Sequence, residues 1–238
     1  MLSTSHFEPL YQFLGFALTV TSHLSCVTQD VFIAGTDTGT LALEWGMAEL
    51  VRNPGAMRKA QAEVRRAVGE AEFVEDRHVR ELHYLKLVVR EALRLHPPGP
   101  FLLPRASRAD TRVAGFDVPV NTRVTINVWA IGRDPDAWED PDAFLPERFE
   151  GSAVDFRGQH FQLLPFGAGR RGCPGVGLGT AVVELALANL LHCFDWEVPG
   201  GGRGEDLDME EEFGIVIRRK HPLLLRATPW TPSSEVQN

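Results

Sequence analysis

Cysteine is scarce in this sequence and badly placed for cross-linking. The 238-residue chain holds three, Cys26, Cys173 and Cys193, an odd number at wide spacings. That excludes a disulfide framework and points to a reducing, cytosol-facing environment. Positive charge is also in short supply. Lys and Arg number 24 against 32 Asp and Glu, a formal charge of −8, which argues against nucleic acid as the main partner. There is no internal repeat, no GxxxxGK[ST] and no GxGxxG between a strand and a helix. A long apolar run is missing too. Residues 9–29 contain no Asp, Glu, Lys or Arg, but Thr19, Thr21, Ser22, His23 and Ser25 keep the apolar part short of a membrane span. No basic residue precedes it, as a signal peptide would require. It reads as buried or loosely ordered polypeptide leading into a helix. At 44% hydrophobic residues the chain can still build one large domain with a real core.

What is present centres on Phe166-Gly167-Ala168-Gly169-Arg170-Arg171-Gly172-Cys173-Pro174-Gly175. One cysteine ends a glycine-rich, doubly basic loop, and a helical run from Val176 to about Leu191 follows. Pro174 suits the first turn of that helix, where its missing N–H costs nothing. Loop amides and a helix N-terminus both favour a sulfur anion, so Cys173 is a candidate ligand for a soft or borderline metal. A plain turn with an incidental cysteine and a glycine-rich phosphate cradle compete for the loop. A zinc site would need further Cys or His at tight spacing, and no second cysteine lies nearby. A single thiolate in a nest of amides fits the proximal ligand of a haem iron best.

The remainder punctuates itself. Residues 27–52 read as one long, mostly buried helix stopped by Asn53-Pro54-Gly55. Inside it, Ala34-Gly35-Thr36-Asp37-Thr38 is poor helix material. A threonine hydroxyl there can bond a carbonyl one turn back and distort the helix, which predicts a kink beside a groove. Asp37 and Thr38 would form an acid–alcohol pair able to relay protons. Residues 57–68 make an amphipathic helix carrying Arg58, Lys59, Arg65 and Arg66, either a solvated face or a docking face for an acidic partner. Residues 78–96 make another helix, ended by Pro97-Pro98, with Glu91 and Arg94 three apart on one face. Strands are expected at 101–105, 111–118, 122–128, 194–198 and 213–217. Residues 132–162 show no period, and a long irregular stretch in a compact domain usually has a job. Residues 229–238 read as a disordered tail.

In this order the motifs resemble the C-terminal half of a plant microsomal cytochrome P450 of the A-type group. They are Ala34–Thr38, the Glu91/Arg94 pair, Pro146-Glu147-Arg148-Phe149 and the cysteine loop, with His96-Pro97-Pro98 and Trp129–Asp134 also of the plant kind. The resemblance implies a mainly α fold with small β-sheets (α+β), truncated at its N-terminal side. It divides the chain into a divergent lead-in at 1–26, the family portion at 27–228 and a tail at 229–238.

The resemblance also implies a haem-thiolate monooxygenase that inserts one oxygen atom of O2 into a hydrophobic small molecule, a plant specialised metabolite. Haem b would be held through Cys173, with Phe166 shielding the sulfur and Arg105 and Arg171 pairing with propionates. Asp37 and Thr38 would deliver protons to dioxygen. Glu91, Arg94 and Arg148 would form a buried charge network behind the cysteine loop. Ala34, Phe101, Leu102 and Phe213 would touch substrate. Electrons would come from NADPH through NADPH–cytochrome P450 reductase, with Arg65 and Arg66 as docking candidates. Family members work at the cytosolic face of the endoplasmic reticulum membrane and are much longer, so this chain is expected to lack their anchor and the helices over the distal haem face. An inactive fragment that at most binds haem or a partner is the alternative reading.

Overall fold

The structure, a computed structural model, describes the backbone of residues 8–231 and the side chains of residues 23–231. It falls into two units, Met1–Asp37 and Thr38–Asn238. The division lies eleven residues beyond the expected boundary at 26/27, inside the Ala34–Thr38 motif. The first helix, α1 (Glu8–Arg52), contributes to both units. It starts well before residue 27, and residues 23–37 are exposed, with burial beginning at Leu41. The expected buried helix is therefore half of a longer one. The Ala34–Thr38 stretch is helical throughout. Within it the Thr36 hydroxyl donates to the Phe32 carbonyl at 2.7 Å, the back-bonded geometry that bends helices.

The second unit is built on α2 (Pro54–Val68), α4 (His83–Leu95) and α6 (Val176–Cys193), which pack on one another. Pro54 opens α2, and Gly69 ends it at φ 63° with its N–H on the Arg65 carbonyl. Met57, Ala60, Val64 and Val68 form the buried stripe of α2 at helical spacing. Leu50, Leu85, Val88, Leu187, Ala188 and Leu191 complete the core. The expected helix 78–96 is broken. A short α3 (Asp76–Val79) precedes α4, because Glu63 of α2 reaches across and takes the Tyr84 and Leu85 amides at 2.8 and 2.9 Å. That carboxylate starts α4 afresh at its positive end. Among the described residues, α6 is the one helix long and apolar enough to cross a membrane, but here it is a core helix against α2 and α4.

Among the described residues, eight short strands make four two-stranded antiparallel sheets. β1 (Arg105–Ala106) pairs with β4 (Arg123–Val124), and β2 (Thr111–Val113) with β3 (Phe116–Val118). β5 (Phe194–Glu197) pairs with β8 (Arg226–Pro229), and β6 (Glu211–Phe213) with β7 (Ile217–Arg219). The single strand expected at 213–217 is thus a hairpin, with residues 214–216 as its turn between Phe213 and Ile217. Pro229 pairs with Phe194, and the Trp230 amide bonds the Cys193 carbonyl at 2.8 Å, so ordered structure runs past the expected start of the tail. Residues 232–238 of that tail lie outside the described residues. A one-turn helix, α5 (Val128–Ile131), is capped by the Asn127 side chain.

The basic face of α2 is engaged within the fold. Arg65 pairs with Asp195 at 2.8 Å, bonds the Phe194 carbonyl at 3.0 Å and lies 4.4 Å over the Trp230 ring. It is not free to dock a partner, whereas Arg66 is exposed. Lys59 meets Glu147 at 2.9 Å and lies 4.1 Å over the Tyr84 ring, tying the Pro146–Phe149 turn to α2 and α4. Burial, together with the Glu147 carboxylate, pushes the Tyr84 phenol up. Burial also opposes charge on Glu147, but hydrogen bonds from Lys59, its own backbone and Tyr84 outweigh it and hold the carboxyl below its ordinary 4.5. A carboxyl depressed in the folded state stabilises the fold above its unfolded-state value and stops doing so as pH falls through the folded one. This pair is half exposed, so screening keeps it small. Glu147→Gln is expected to cost less than about 1 kcal/mol at neutral pH. The deficit should fade as urea melts are taken from neutral pH into acid and the folded-state carboxyl protonates; a deficit as large in strong acid would contradict the assignment.

Candidate functional site

Glu91 and Arg94 sit one turn apart on α4 with side chains fully buried. Their contact is bidentate, Nε to Oε2 and Nη2 to Oε1, both at 2.8 Å. Arg94 has five N–H donors, and all find acceptors. Nη1 reaches the Gly132 carbonyl at 2.5 Å and the Pro141 carbonyl at 2.6 Å, and Nη2 adds the Ala143 carbonyl at 3.0 Å. Arg148 closes the group. Its Nε meets Glu91 Oε1 at 2.9 Å, and its terminal nitrogens take the carbonyls of Glu139, Asp140 and Ala143. The Leu145 amide also donates to Glu91 Oε1, at 2.8 Å. The irregular stretch 132–162 therefore has a physical purpose: it delivers carbonyls to two guanidiniums. Gly132 is required there, since a Cβ would lie 2.4 Å from the Arg94 carbonyl.

The network reaches the cysteine loop through aromatic packing. Arg94 and Arg148 lie 5.2 and 6.0 Å over the Trp138 ring. Trp138 meets Phe149 edge-on at 5.6 Å, and both pack with Leu163 and Phe156. Phe156 meets Phe166 edge-on at 5.4 Å. The Phe166 carbonyl then accepts the Cys173 amide at 2.9 Å. Gly167 turns the chain at φ 69°, with Leu102 3.4 Å from where its Cβ would be.

Cys173 itself is exposed, and the Gly175 N–H donates to its Sγ at 3.3 Å. Arg105 donates to the Arg171 carbonyl at 3.2 Å, so β1 and the cysteine loop share a basic corner. A Cβ at Gly177 or Gly179 would meet nothing within 4 Å, so the first turn of α6 is open beside the sulfur. An accessible sulfur with an amide donor, an open glycine-rich helix start and two guanidiniums fit haem as a donor set. Of the other candidates, Phe101 and Phe213 are exposed and Leu102 is half-buried. Thr38 is half-buried at the start of the second unit. Ala34 and Asp37 belong to the first unit, on the exposed length of α1, and no relation to the cysteine loop is drawn for them.

A family model described as cytochrome P450 matches residues 19–226. The chain belongs to the cytochrome P450 family. It is 55% identical over 206 residues to cytochrome P450 71A1 of Persea americana, covering 87% of this chain and 41% of that protein. Phenylacetaldehyde oxime monooxygenase CYP71AN24 of Prunus mume is 48% identical, covering 92% of this chain and 42% of that protein. Premnaspirodiene oxygenase of Hyoscyamus muticus is 50% identical, covering 90% and 42%. The chain thus spans about two fifths of the length of these relatives. A zebrafish P450 solved with abiraterone superposes with a TM-score of 0.75 at 32% identity, over 85% of this chain and 47% of that one. The mainly α fold with small sheets is the corresponding part of the P450 fold, and haem is the family's cofactor.

Two features escaped the sequence reading. One is Gly132, which shows only as a loop glycine until Arg94 is placed beneath it. The other is the setting of His96, read from sequence as the end of its helix and as part of the plant-type His96-Pro97-Pro98 motif, without partners. It is 5% exposed and sits between Glu49 and Glu211. The helical spacing of Trp45 and Glu49 on a buried face was the available signal for an acid needing a partner.

Arg148→Ala is expected to leave Glu91 short of one ionic partner and to lower stability by about 3–5 kcal/mol, the usual effect of breaking a buried pair. Haem uptake should be abolished while helical circular dichroism at low temperature is retained. A variant that takes up haem in the parent's stoichiometry would remove Arg148 from the support of the cysteine loop.

Proposed function

We propose that this chain forms the haem-thiolate part of a monooxygenase that inserts one oxygen atom of O2 into a hydrophobic small molecule. The observation that carries the reading is the exposed Cys173 sulfur, fixed by the Phe166 carbonyl and the Gly175 amide at the end of the loop that Glu91, Arg94 and Arg148 support. Haem held there through the Cys173 sulfur would supply the oxygen-activating chemistry. The other two cysteines are poorer choices. Burial, with the Glu72 carboxylate, pushes the Cys193 thiol up, and Cys26 lies on the first unit.

The chain's own residues divide the work. Arg105 and Arg171 would hold the two propionates, for which rigid, permanently charged forks are suited. Phe166 would keep water from the sulfur. Asp37 and Thr38 would hold and pass protons, the carboxylate as the reservoir and the hydroxyl as a donor. Ala34, Phe101, Leu102 and Phe213 are apolar, so they would select an apolar substrate; the plant relatives make a specialised metabolite the natural class. Electrons would arrive from NADPH through NADPH–cytochrome P450 reductase at the cytosolic face of the endoplasmic reticulum. Arg66 is the member of the α2 basic pair still available for that contact.

The second reading is a catalytically inactive fragment that at most binds haem or a partner. One experiment separates the two levels. Haem added to the chain, reduced and exposed to carbon monoxide should give the thiolate-type Soret shift. Cys173→Ser should lose that shift while Cys193→Ala keeps it. Unbound haem, or a shift that survives Cys173→Ser, would overturn the assignment. Turnover with a reductase and NADPH then decides between enzyme and inert haem protein.

A further inference from the structure

We propose that His96 is a positioning residue that sets the β6–β7 hairpin, and through it Phe213, on the ligand side of the site. The inference rests on Phe213 being a substrate contact, as proposed above.

His96 ends α4, and its ring is stacked flat on Trp45 of α1, with centroids 4.0 Å apart and planes 1° from parallel. Nε2 lies 2.7 Å from Glu49 Oε1 and Nδ1 lies 3.0 Å from Glu211 Oε1. One imidazole thus links α1 to the first residue of β6. Glu211 carries the link onward, since its Oε2 accepts the Trp129 indole N–H at 2.9 Å. The Trp129 ring meets Phe213 edge-on at 5.9 Å. Glu211 and Phe213 are two residues apart in a strand and so share a face. Arg133 flanks the relay, 3.7 Å from Glu211 and 4.1 Å over the Trp129 ring.

The other strand is fixed at the same base. The Ile217 amide donates to the Pro98 carbonyl at 3.0 Å, and the Trp45 indole N–H donates to the Ile217 carbonyl at 3.3 Å. Arg219 of the same strand lies 5.4 Å over the Trp45 ring. The tip is free by comparison, with Phe213 53% and Ile215 87% exposed. A two-stranded hairpin is marginal alone, so the direction of its tip follows from what holds its base. A glutamine amide lacks both the flat ring that stacks on Trp45 and the two ring nitrogens that face Glu49 and Glu211.

Two measurements test this. Without haem, hydrogen exchange of the whole chain should show residues 211–219 opening about tenfold faster in His96→Gln and in Glu211→Gln, the loss of roughly one or two net hydrogen bonds. Peptides from α2 should be unchanged. With haem bound, plain imidazole should bind both variants as it binds the parent, while a bulky aryl-substituted azole, which reaches past the iron, should bind about tenfold more weakly. Trp129→Phe keeps the ring and His96 but removes the indole N–H, and it should reproduce the azole discrimination even where His96→Gln folds poorly. Unchanged exchange at 211–219 overturns the clamp. Faster exchange with both azoles unaffected, or both weakened alike, overturns its link to the ligand. A chain that takes up no haem would fail the functional reading alone, and the exchange result would still decide whether His96 holds the hairpin.

Discussion

A buried guanidinium is the constraint on which the rest of this structure depends. Arg94 carries a full charge into a fully enclosed position, where an unpaired ion would be intolerable. The Glu91 carboxylate answers the charge but leaves three of the five donors open. Three backbone carbonyls fill them, and those carbonyls belong to a segment that cannot be helix or strand, because regular structure would use its carbonyls internally. The absence of period in residues 132–162 is thus a consequence of the ion pair. So is Gly132, the only residue type that lets the chain pass close enough to the Arg94 backbone.

The same constraint explains how an exposed cysteine can be held in place by buried groups. Cys173 makes few contacts of its own. Its position follows from Phe166, which packs on Phe156 beside Trp138, Phe149 and Leu163, and Trp138 lies under both guanidiniums. The edge-on pairs Trp138–Phe149 and Phe156–Phe166 and the cation–π contacts to Trp138 are directional, so they transmit orientation as well as distance; apolar packing joins the two pairs. A metal ligand needs that kind of support.

Local chemistry was legible in the sequence, and long-range pairing was not. The i, i+3 spacing of Glu91 and Arg94, the Pro54 and Pro97 stops and the helix after Cys173 all follow from rules acting within one or two turns. The break before α4 was invisible because its cause, Glu63, lies 21 residues upstream. Arg65 looked like surface for the same reason: Asp195 is 130 positions away. Residues 213–217 were read as a strand because their apolar character matches one, whereas Gly214 and the pairing of Phe213 with Ile217 make them a hairpin. Arg148 became interpretable only through its motif, since nothing in its own neighbourhood announces a partner on α4. The kinked-helix residues are a different matter: their composition signals function, but the unit boundary falls between Asp37 and Thr38, so their role rests on chemistry rather than on a measured relation to the sulfur.

The two sides of the site are therefore stabilised by different physics. Behind the cysteine, many charge-assisted bonds converge on fixed geometry, and a network so fully satisfied has few alternative arrangements. The β6–β7 hairpin is held at its base by one imidazole, one indole and a few backbone bonds, while its tip carries apolar side chains into solvent. Changing a tip residue such as Ile215 disturbs no buried charge, whereas changing His96 or Glu211 moves the whole tip and changing Arg94 removes the fold beneath the sulfur. A division of this kind lets the ligand side vary in shape without altering the sulfur's environment. It suits the proposed role, in which the chemistry at the sulfur would stay the same while the apolar ligand differs.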